Sequence, residues 1–428
     1  MAIKHVNDEK LGVFDYDDTQ FQMRTLRTAN GDKQCLKYIG AERDGNNITI
    51  PDGIEDIKFM FDGSNIVIPP KIPSSVKSMN FAFRSCRDLK DIPEIPYGVY
   101  QARGTFMGCK ALTTTEHKLP KSIKYASEMF AKSSIEEINL PEYLSDANDM
   151  FAGCRKLRCV TGKIGKDIAN ANGMFQHCDA LLEQPEFDEN VTNLKETQMM
   201  FHGCTALEFP KPLPKCVEKS NSMYRDCNNL KMIAHNDGHI KSAAHMYEGC
   251  DLSNNTETLK LLIDTSINYS EHYGNSHNNI FSNTHVTSTI PVDIKILHEG
   301  NDVISRKLVL FRAMYSNCAY LKNIDESTVD LINIAHKHNI NISNMFTGCT
   351  EIILPEQLSD KIDTLFGYRM PNKLATKASA ARLNSDRYIS HDENNCRKNI
   401  VVNGFDATEY LEKLSDEGIE DIFGDLGN

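Results

Sequence analysis

One eight-residue motif, Met150-Phe151-Ala152-Gly153-Cys154-Arg155-Lys156-Leu157, recurs along most of this 428-residue chain. Its aromatic position is filled by Phe61, Phe83, Phe106, Phe130, Phe151, Phe175, Phe201, Tyr224, Tyr247, Phe281, Tyr315 and Phe346, with Phe366 as a possible degenerate copy. The first eight intervals between these aromatic residues are 21 to 26 residues long, and the last three are 31 to 34 residues long. Because a fixed period of about 20 to 50 residues is typical of repeat architectures, the motif predicts a stack of coils in which each coil contacts only its neighbours.

The fifth position of the motif is a cysteine in nine units. The nine residues are Cys86, Cys109, Cys154, Cys178, Cys204, Cys227, Cys250, Cys318 and Cys349. In three other units it is Ser64, Ser133 or Thr284, so the position selects a small side chain. Because the cysteines recur once per coil and not in Cys-x-x-Cys pairs, no metal site is predicted. We expect them to be buried and reduced.

The residues after the leucine position alternate between apolar and polar, as in Ile135-Glu136-Glu137-Ile138-Asn139-Leu140-Pro141. Alternation with a period of two is typical of a short strand, and the proline ends it. The segment that leads to the next motif, such as 145–151, begins with small polar residues and ends with apolar ones, which is consistent with a helical turn or an irregular arc. The pattern predicts one short parallel strand in each coil.

These motifs resemble the BspA-like leucine-rich repeats, whose units also contain segments such as Ile72-Pro73-Ser74-Ser75-Val76 and Leu119-Pro120-Lys121-Ser122-Ile123. The resemblance covers residues 48–366 and implies an α/β fold. The expected fold is a leucine-rich-repeat-type solenoid with one short parallel strand per coil, a helical or irregular convex side and about 12–13 coils. The family resembles a set of adhesion and protein-binding surfaces with varied targets, so the resemblance implies a binding function.

The regions on either side of the repeats are predicted to close the stack. Residues 1–47 are expected to form an N-terminal cap over the first hydrophobic coil. The repeats of 48–366 carry insertions between 248 and 345, and the polar run 268–279 is expected to be an exposed loop. Residues 367–428 are expected to form a C-terminal helical cap and an acidic tail. Alternatively, Ile422 and Phe423 belong to an acidic amphipathic peptide that docks on a partner.

The charge of the chain argues against some classes of partner. Lys and Arg number 47 and Asp and Glu number 59, so the net charge is −12, and −7 of it lies within 406–428. Without a basic face, nucleic acid is not expected as a partner. No run of about 18 apolar residues occurs, so no membrane span is predicted. The N-terminal residues lack the apolar run of a secretory signal, so we expect a cytoplasmic protein or one delivered without a standard signal peptide.

One segment resembles a catalytic motif. Asp15, Asp17 and Thr19 form an Asp-x-Asp-x-Thr pattern similar to that of haloacid-dehalogenase-like phosphatases. There the first Asp is a nucleophile, the second is a general acid and base, and Mg²⁺ is bound beside them. Such enzymes carry their other catalytic groups on a sizeable α/β domain, whereas here the repeats begin at Ile48. An acidic surface turn is therefore the preferred interpretation.

The strand positions, the 268–279 loop and the tail supply the candidate binding residues. They are Lys90, Asp91, Glu136, Glu137, Arg158, Lys211, Lys231, His272, Tyr273, Ile422 and Phe423. The sequence predicts a non-enzymatic solenoid that binds another protein and needs no cofactor. The alternative is a structural or assembly component of a large complex, such as a phage particle, in which copies of the chain associate. A phosphatase that uses Asp15 and Asp17 is a third, weaker hypothesis.

Overall fold

The chain forms two compact units, Met1–Leu230 and Lys231–Asn428, and each contains a stack of coils. The computed structural model describes residues 3–28, 31–113, 118–264, 277–297, 311–337, 340–366, 401–402 and 405–406. None of the helices within these residues is long and apolar enough to cross a bilayer.

The first unit begins with two β-hairpins. Strand β1, Ile3–Asp8, pairs antiparallel with β2, Gly12–Asp17, and β3, Phe21–Thr28, pairs antiparallel with β4, Gly31–Tyr38. In β2, the buried Phe14 and Tyr16 alternate with exposed residues, so that one face of the strand is apolar. A short 3₁₀ turn, Gly45–Asn47, then leads into the first coil.

The second hairpin lies against the first coil, in the position that a preceding coil would occupy. The Tyr38 N–H donates to the carbonyl of Met60 at 2.9 Å, and the Lys37 ammonium donates to the carbonyl of Asp62. The Tyr38 ring lies 5.3 Å from the ring of Phe61. In an inner coil, a neighbouring coil supplies hydrogen-bond donors to such carbonyl groups. Here the second hairpin supplies them, which supports the predicted N-terminal cap. The boundaries of the predicted domains stay a prediction.

Each motif forms a tight series of turns around its aromatic residue. In the fifth coil, Asp149 and Gly153 have φ of 52° and 73°, two residues before and two residues after Phe151. The N–H groups of Asp149, Phe151 and Gly153 donate to carbonyls of the next coil at 2.9, 2.9 and 2.7 Å. Left-handed residues cannot continue an α-helix. This part of the coil is therefore a set of turns, which fits the irregular arc and not the helical turn among the two predicted alternatives.

The aromatic residues stack into a ladder in each unit. In the first unit the ring centroids from Phe61 to Tyr224 lie 5.0 to 5.8 Å apart. In the second unit the distances are 5.9 Å for Tyr247–Phe281, 5.2 Å for Phe281–Tyr315 and 5.9 Å for Tyr315–Phe346. Phe366 is 2% exposed and lies 6.4 Å from Phe346, so it is the degenerate copy that the spacing predicts.

The cysteine ladder is buried, as predicted, and it makes a regular hydrogen bond. The Cys86 thiol donates to the carbonyl of Phe61 at 3.0 Å, and the Cys204 thiol donates to the carbonyl of Phe175 at 3.1 Å. Equivalent bonds join Cys154 to Phe130 at 3.0 Å and Cys318 to Phe281 at 3.0 Å. All nine ladder cysteines are buried free thiols. The position therefore selects a small hydrogen-bonding side chain, not small size alone.

Parallel strands are shorter and rarer than predicted. In the first unit, β5, Glu137–Asn139, pairs in parallel with β6, Cys159–Thr161. Elsewhere in this unit, neighbouring coils pair through isolated one-residue β-bridges, such as the bridge between Ser78 and Gln101. One parallel strand in each coil was predicted, whereas most described pairings in this unit involve a single residue.

The second unit contains the α-helices and the longest parallel strands of the described residues. Strand β7, Leu259–Asp264, pairs in parallel with β8, Val292–Leu297, and helix α1, Glu326–Lys337, packs against β8. Strand β9, Ile353–Leu354, is followed by a 3₁₀ turn, Glu356–Lys361, and by α2, Ile362–Phe366. Strand β10, Val401–Val402, lies between β9 and β11, Phe405–Asp406. The described part of 367–428 is therefore strand, whereas a helical cap was predicted.

Two details of the predicted pattern are wrong. In the first coil the eight-residue motif that begins at Met60 predicts Val67 as the buried aliphatic residue, but Ile66 is the residue that is 0% exposed. This unit is one residue shorter between its aromatic and aliphatic positions. The predicted exposed loop ended at Asn279, but His277 is fully buried and stacks on Phe311 at 4.8 Å. His277 occupies the inward position four residues before Phe281, so the coil begins earlier than its polar composition suggests.

Candidate functional site

The candidate site lies on the edge of the first unit that follows the aliphatic ladder. Leu157, Leu181 and Leu207 are 0% exposed, so the one or two residues after each of them reach the surface. The Arg158 N–H donates to the carbonyl of Glu136 at 2.8 Å, and the Leu182 N–H donates to the carbonyl of Arg158 at 3.3 Å. Consecutive coils therefore hold these residues in register, and their side chains form a row.

Three of the predicted residues come together in this row. The Arg158 guanidinium donates to the carboxylate of Glu136 at 3.0 Å, and the two side chains are 56% and 38% exposed. Glu137 is exposed beside them, at the start of β5. An ion pair this exposed contributes only about 0–1 kcal/mol to stability. The residues of the pair are therefore not needed to hold the fold and are available for contacts with a partner.

Two exposed apolar residues that were not among the predicted candidates lie on the next two coils, Leu182 directly after Leu181 and Phe209 two residues after Leu207. Leu182 is 60% exposed in the sixth coil, and Phe209 is 53% exposed in the seventh coil. Exposed leucine and phenylalanine side chains at outward positions, next to charged ones, are a signal that could have been found in the sequence. We call Glu136, Glu137, Arg158, Leu182 and Phe209 the strand-face patch.

Lys211 lies two residues beyond Phe209 and is half-buried. Its N–H donates to Gln184 Oε1 at 3.2 Å, and the same oxygen accepts the Tyr224 hydroxyl at 2.8 Å. Gln184 is 2% exposed, so a buried side chain fixes the position of the Lys211 backbone. Lys211 therefore stays a candidate at the border of the strand-face patch.

Other candidates lie apart from the strand-face patch. Lys90 is exposed in the second coil, two coils before Glu136, and the neighbouring Asp91 carboxylate accepts the Ile92 N–H at 2.8 Å. Lys231 belongs to the second unit, where its ammonium forms an ion pair with Asp251. The remaining candidates lie outside the described residues: His272, Tyr273, Ile422 and Phe423.

The turn edge of the first two coils carries an aromatic and cationic cluster. The rings of Phe59 and Phe81 stack at 5.1 Å, and the Arg84 guanidinium lies 5.3 and 5.5 Å from their centroids. Arg84 also donates to both carboxylate oxygens of Asp62, at 2.9 and 2.7 Å. The Arg84 guanidinium covers the two rings, and the Asp62 carboxylate pairs with this guanidinium. The groups of this cluster therefore contact one another, and we interpret the cluster as structural.

The Asp-x-Asp-x-Thr segment forms strand β2 and the turn after it. The Asp15 carboxylate accepts a hydrogen bond from His5 Nδ1 at 2.7 Å, and the Asp17 carboxylate accepts from the N–H and hydroxyl of Thr19 at 2.9 and 2.7 Å. The Thr19 hydrogen bonds lower the pKa of Asp17. Within the described residues, no three His, Cys, Asp or Glu side chains are placed to hold a metal ion. The geometry fits a surface turn.

Comparison with known proteins identifies the repeat. The BspA type leucine rich repeat region matches in six copies, over residues 41–158 and 168–261. No curated protein matches the chain. A leucine-rich repeat protein from Bacteroides ovatus is 19% identical, with a TM-score of 0.44 and coverage of 82% of this chain and 97% of that one. A leucine rich cell surface protein from Faecalibacterium prausnitzii is 14% identical, with a TM-score of 0.36 and coverage of 92% of this chain and 96% of that one.

The match agrees with the geometry of the coils. Both matched ranges contain the aromatic, cysteine and aliphatic ladders, and the strand-face patch lies on coils that they cover. Residues 41–158 and 168–261 of the chain are therefore leucine-rich repeats of the BspA type.

Proposed function

We propose that this chain is a non-enzymatic binding protein that recognises another protein through the strand-face patch. The observation that carries the proposal is the exposure of Leu182 and Phe209, at 60% and 53%, on adjacent coils beside the Glu136–Arg158 ion pair. Aromatic and arginine side chains, such as Phe209 and Arg158, are enriched at protein interfaces.

The coils beneath the strand-face patch support this role. Leu181 and Leu207 are 0% exposed, and the backbone hydrogen bonds between coils fix the spacing of the residues that follow them. A rigid scaffold lowers the entropy that ordering the contact residues would cost on binding. The partner's surface is expected to present an apolar pocket or side chain opposite Leu182 and Phe209.

The test is affinity capture with the full chain as bait, followed by identification of the bound protein and measurement of its Kd. A Leu182→Ser, Phe209→Ser double variant is expected to weaken binding at least about tenfold, because hot-spot truncations typically cost more than about 1 kcal/mol each. Tyr97→Ser is the matched control, since Tyr97 is 75% exposed on another edge of the first unit. Binding that survives the double variant, or is lost equally in Tyr97→Ser, contradicts the proposal.

The same experiment addresses the assembly alternative. If the bait captures only further copies of itself, and the double variant abolishes this, the strand-face patch is an assembly surface and not a recognition site. The place of action, in the cytoplasm or after delivery without a standard signal peptide, stays a prediction.

A further inference from the structure

The outer edge of strand β1 is open. Among the described residues, β1 has β2 as its one strand neighbour. The side chains of Lys4 and His5 are 58% and 65% exposed, and Ile3 is 72% exposed. An edge strand directs every second pair of backbone N–H and C=O groups outward, where they can pair with another strand.

The sequence of β1 is self-complementary when it is read antiparallel about Val6. In that register Lys4 lies opposite Asp8 of a second copy, Val6 lies opposite Val6, and His5 lies opposite Asn7. Alternation places Lys4, Val6 and Asp8 on one face of the strand. The register therefore joins two oppositely charged pairs on either side of a central apolar pair, and opposite charges across strands are stabilising.

Other registers lose this match. A shift of one residue places Lys4 opposite Asn7 and turns the side chains of the added strand to the wrong face. A shift of two residues places Lys4 opposite Val6. Charge and face together select the register centred on Val6.

The second strand of the hairpin extends the central apolar pair. Val6 is half-buried and lies opposite Phe14 of β2, which is 3% exposed. Pairing of two copies about Val6 would therefore give a continuous row of Phe14, Val6, Val6 and Phe14 across four strands. A four-stranded sheet with an apolar row is more stable than an isolated two-stranded hairpin.

The charged groups of β1 are available for such pairing. Asp8 uses Oδ1 to accept the N–H groups of Lys10 and Leu11, at 2.8 and 3.0 Å, while Oδ2 has no hydrogen bond with the described residues. The ammonium of Lys4 lies 3.6 Å from Asp18, a long and exposed ion pair. The Lys4 side chain of one copy can therefore pair with the Asp8 side chain of the other copy without breaking a strong contact.

We propose that two copies of this chain associate through antiparallel pairing of their β1 strands about Val6, forming a four-stranded sheet from the two hairpins. The symmetry is twofold, so each copy contributes the same residues. This surface is separate from the strand-face patch.

The test is a charge exchange followed by analytical ultracentrifugation of the full chain over a range of concentrations. The unsubstituted chain is expected to dimerise. Lys4→Glu alone and Asp8→Lys alone are each expected to weaken dimerisation about tenfold or more, because each places two like-charge pairs across the interface. An equimolar mixture of the two variants is expected to restore association, as a heterodimer, because both of its cross-strand pairs are again opposite in charge.

The controls separate the interface from the fold of the hairpin. Lys124→Glu makes the same charge change at an exposed residue of the coils, away from β1, and should leave dimerisation unchanged. If Asp8→Lys unfolds the turn, Asp8→Asn keeps the Oδ1 acceptor, and its dimerisation should be weaker than that of the unsubstituted chain and stronger than that of Lys4→Glu.

Two outcomes overturn the proposal: a chain that stays monomeric up to its solubility limit, or a dimer whose stability does not change in Lys4→Glu. Dimerisation that persists in Leu182→Ser, Phe209→Ser shows that it is independent of the proposed binding function.

Discussion

At the scale of single residues, polar side chains of fixed position join each coil to the one before it. The ladder thiols donate to the carbonyl of the preceding aromatic residue, as Cys204 does to Phe175 at 3.1 Å. The serines of the Pro-x-Ser segments do the same at another edge, where the Ser75 and Ser122 hydroxyls donate to the carbonyls of Ile54 and Val99 at 2.7 Å each. Buried carbonyls keep their partners in this way.

The first prediction concerns Cys204, which is 0% exposed. Cys204→Ser keeps a donor for the Phe175 carbonyl and should lower the free energy of unfolding least. Cys204→Val removes the donor and adds a methyl group to a packed core, so it should cost about 1–3 kcal/mol. Chemical denaturation of both variants checks the order. If valine is tolerated as well as serine, the hydrogen bond does not select the residue.

A second prediction concerns two left-handed glycines. Gly63 and Gly203 have φ of +71° and +73°, and a Cβ on Gly63 would meet nothing within 4 Å, whereas one on Gly203 would lie 2.3 Å from His177 Nδ1. Gly63→Ala should therefore cost about 1–2 kcal/mol from the backbone alone, and Gly203→Ala should cost more. Thermal or chemical unfolding of the two variants measures the difference. Equal losses would show that His177 moves aside freely.

At the scale of elements, the hairpin of β3 and β4 ends the first stack with the contacts that a coil would make. Phe21 and Tyr38 pack at 5.6 Å, and Tyr38 continues the aromatic ladder onto Phe61. A repeat stack needs such a terminal element, because its first coil has no neighbour to cover its hydrophobic face.

The third prediction follows from this arrangement. Tyr38 is 6% exposed, and Tyr38→Ala should cost about 3–5 kcal/mol, as expected when a buried aromatic residue is truncated. The loss should be local, so hydrogen exchange should quicken first in the amides near Met60 and Phe61. Tyr125→Ala is the control, because Tyr125 is 45% exposed and its truncation should change stability little. Uniformly faster exchange across the first unit would contradict a local capping role.

At the scale of the whole molecule, the ladder cysteines link stability to pH. Burial raises the pKa of Cys86 and Cys154 to about 11 and that of Cys227 to about 12, from an ordinary value of 9.0. A thiol whose pKa is raised by folding holds its proton more tightly in the folded chain. Its contribution to stability is complete below pH 9 and is lost as the pH rises toward its folded pKa.

The fourth prediction is therefore a loss of stability in alkaline solution. The denaturant midpoint should fall between pH 9 and pH 11, and a Cys86→Ser, Cys154→Ser, Cys227→Ser variant should show a smaller fall. Thiol labelling below pH 9 should reach Cys159, which is exposed, before any ladder cysteine. An unchanged pH dependence in the triple variant would assign the alkaline loss to other groups.

The sequence by itself determined the repeat, its ladders and the position of the outward row. Recurrence of Phe151, Cys154 and Leu157 at one spacing reports which side chains face inward, because a stack requires the same residue types at the same depth in each coil. For this reason the sequence predicts that Glu136, Glu137 and Arg158 face outward, and the structure places them together at the surface. Their part in binding stays a prediction.

Only the tertiary structure decided how neighbouring coils meet. The hydrogen bond from Cys204 to Phe175 joins residues 29 apart in sequence, and Arg158 and Leu182 lie in a row because the Leu182 N–H donates to the carbonyl of Arg158 in the coil before it. Lys231 fits the strand pattern, yet it pairs with Asp251 of its own unit. Spacing along a chain records which residues face inward, whereas contacts between coils depend on turns and registers that form only when the coils stack.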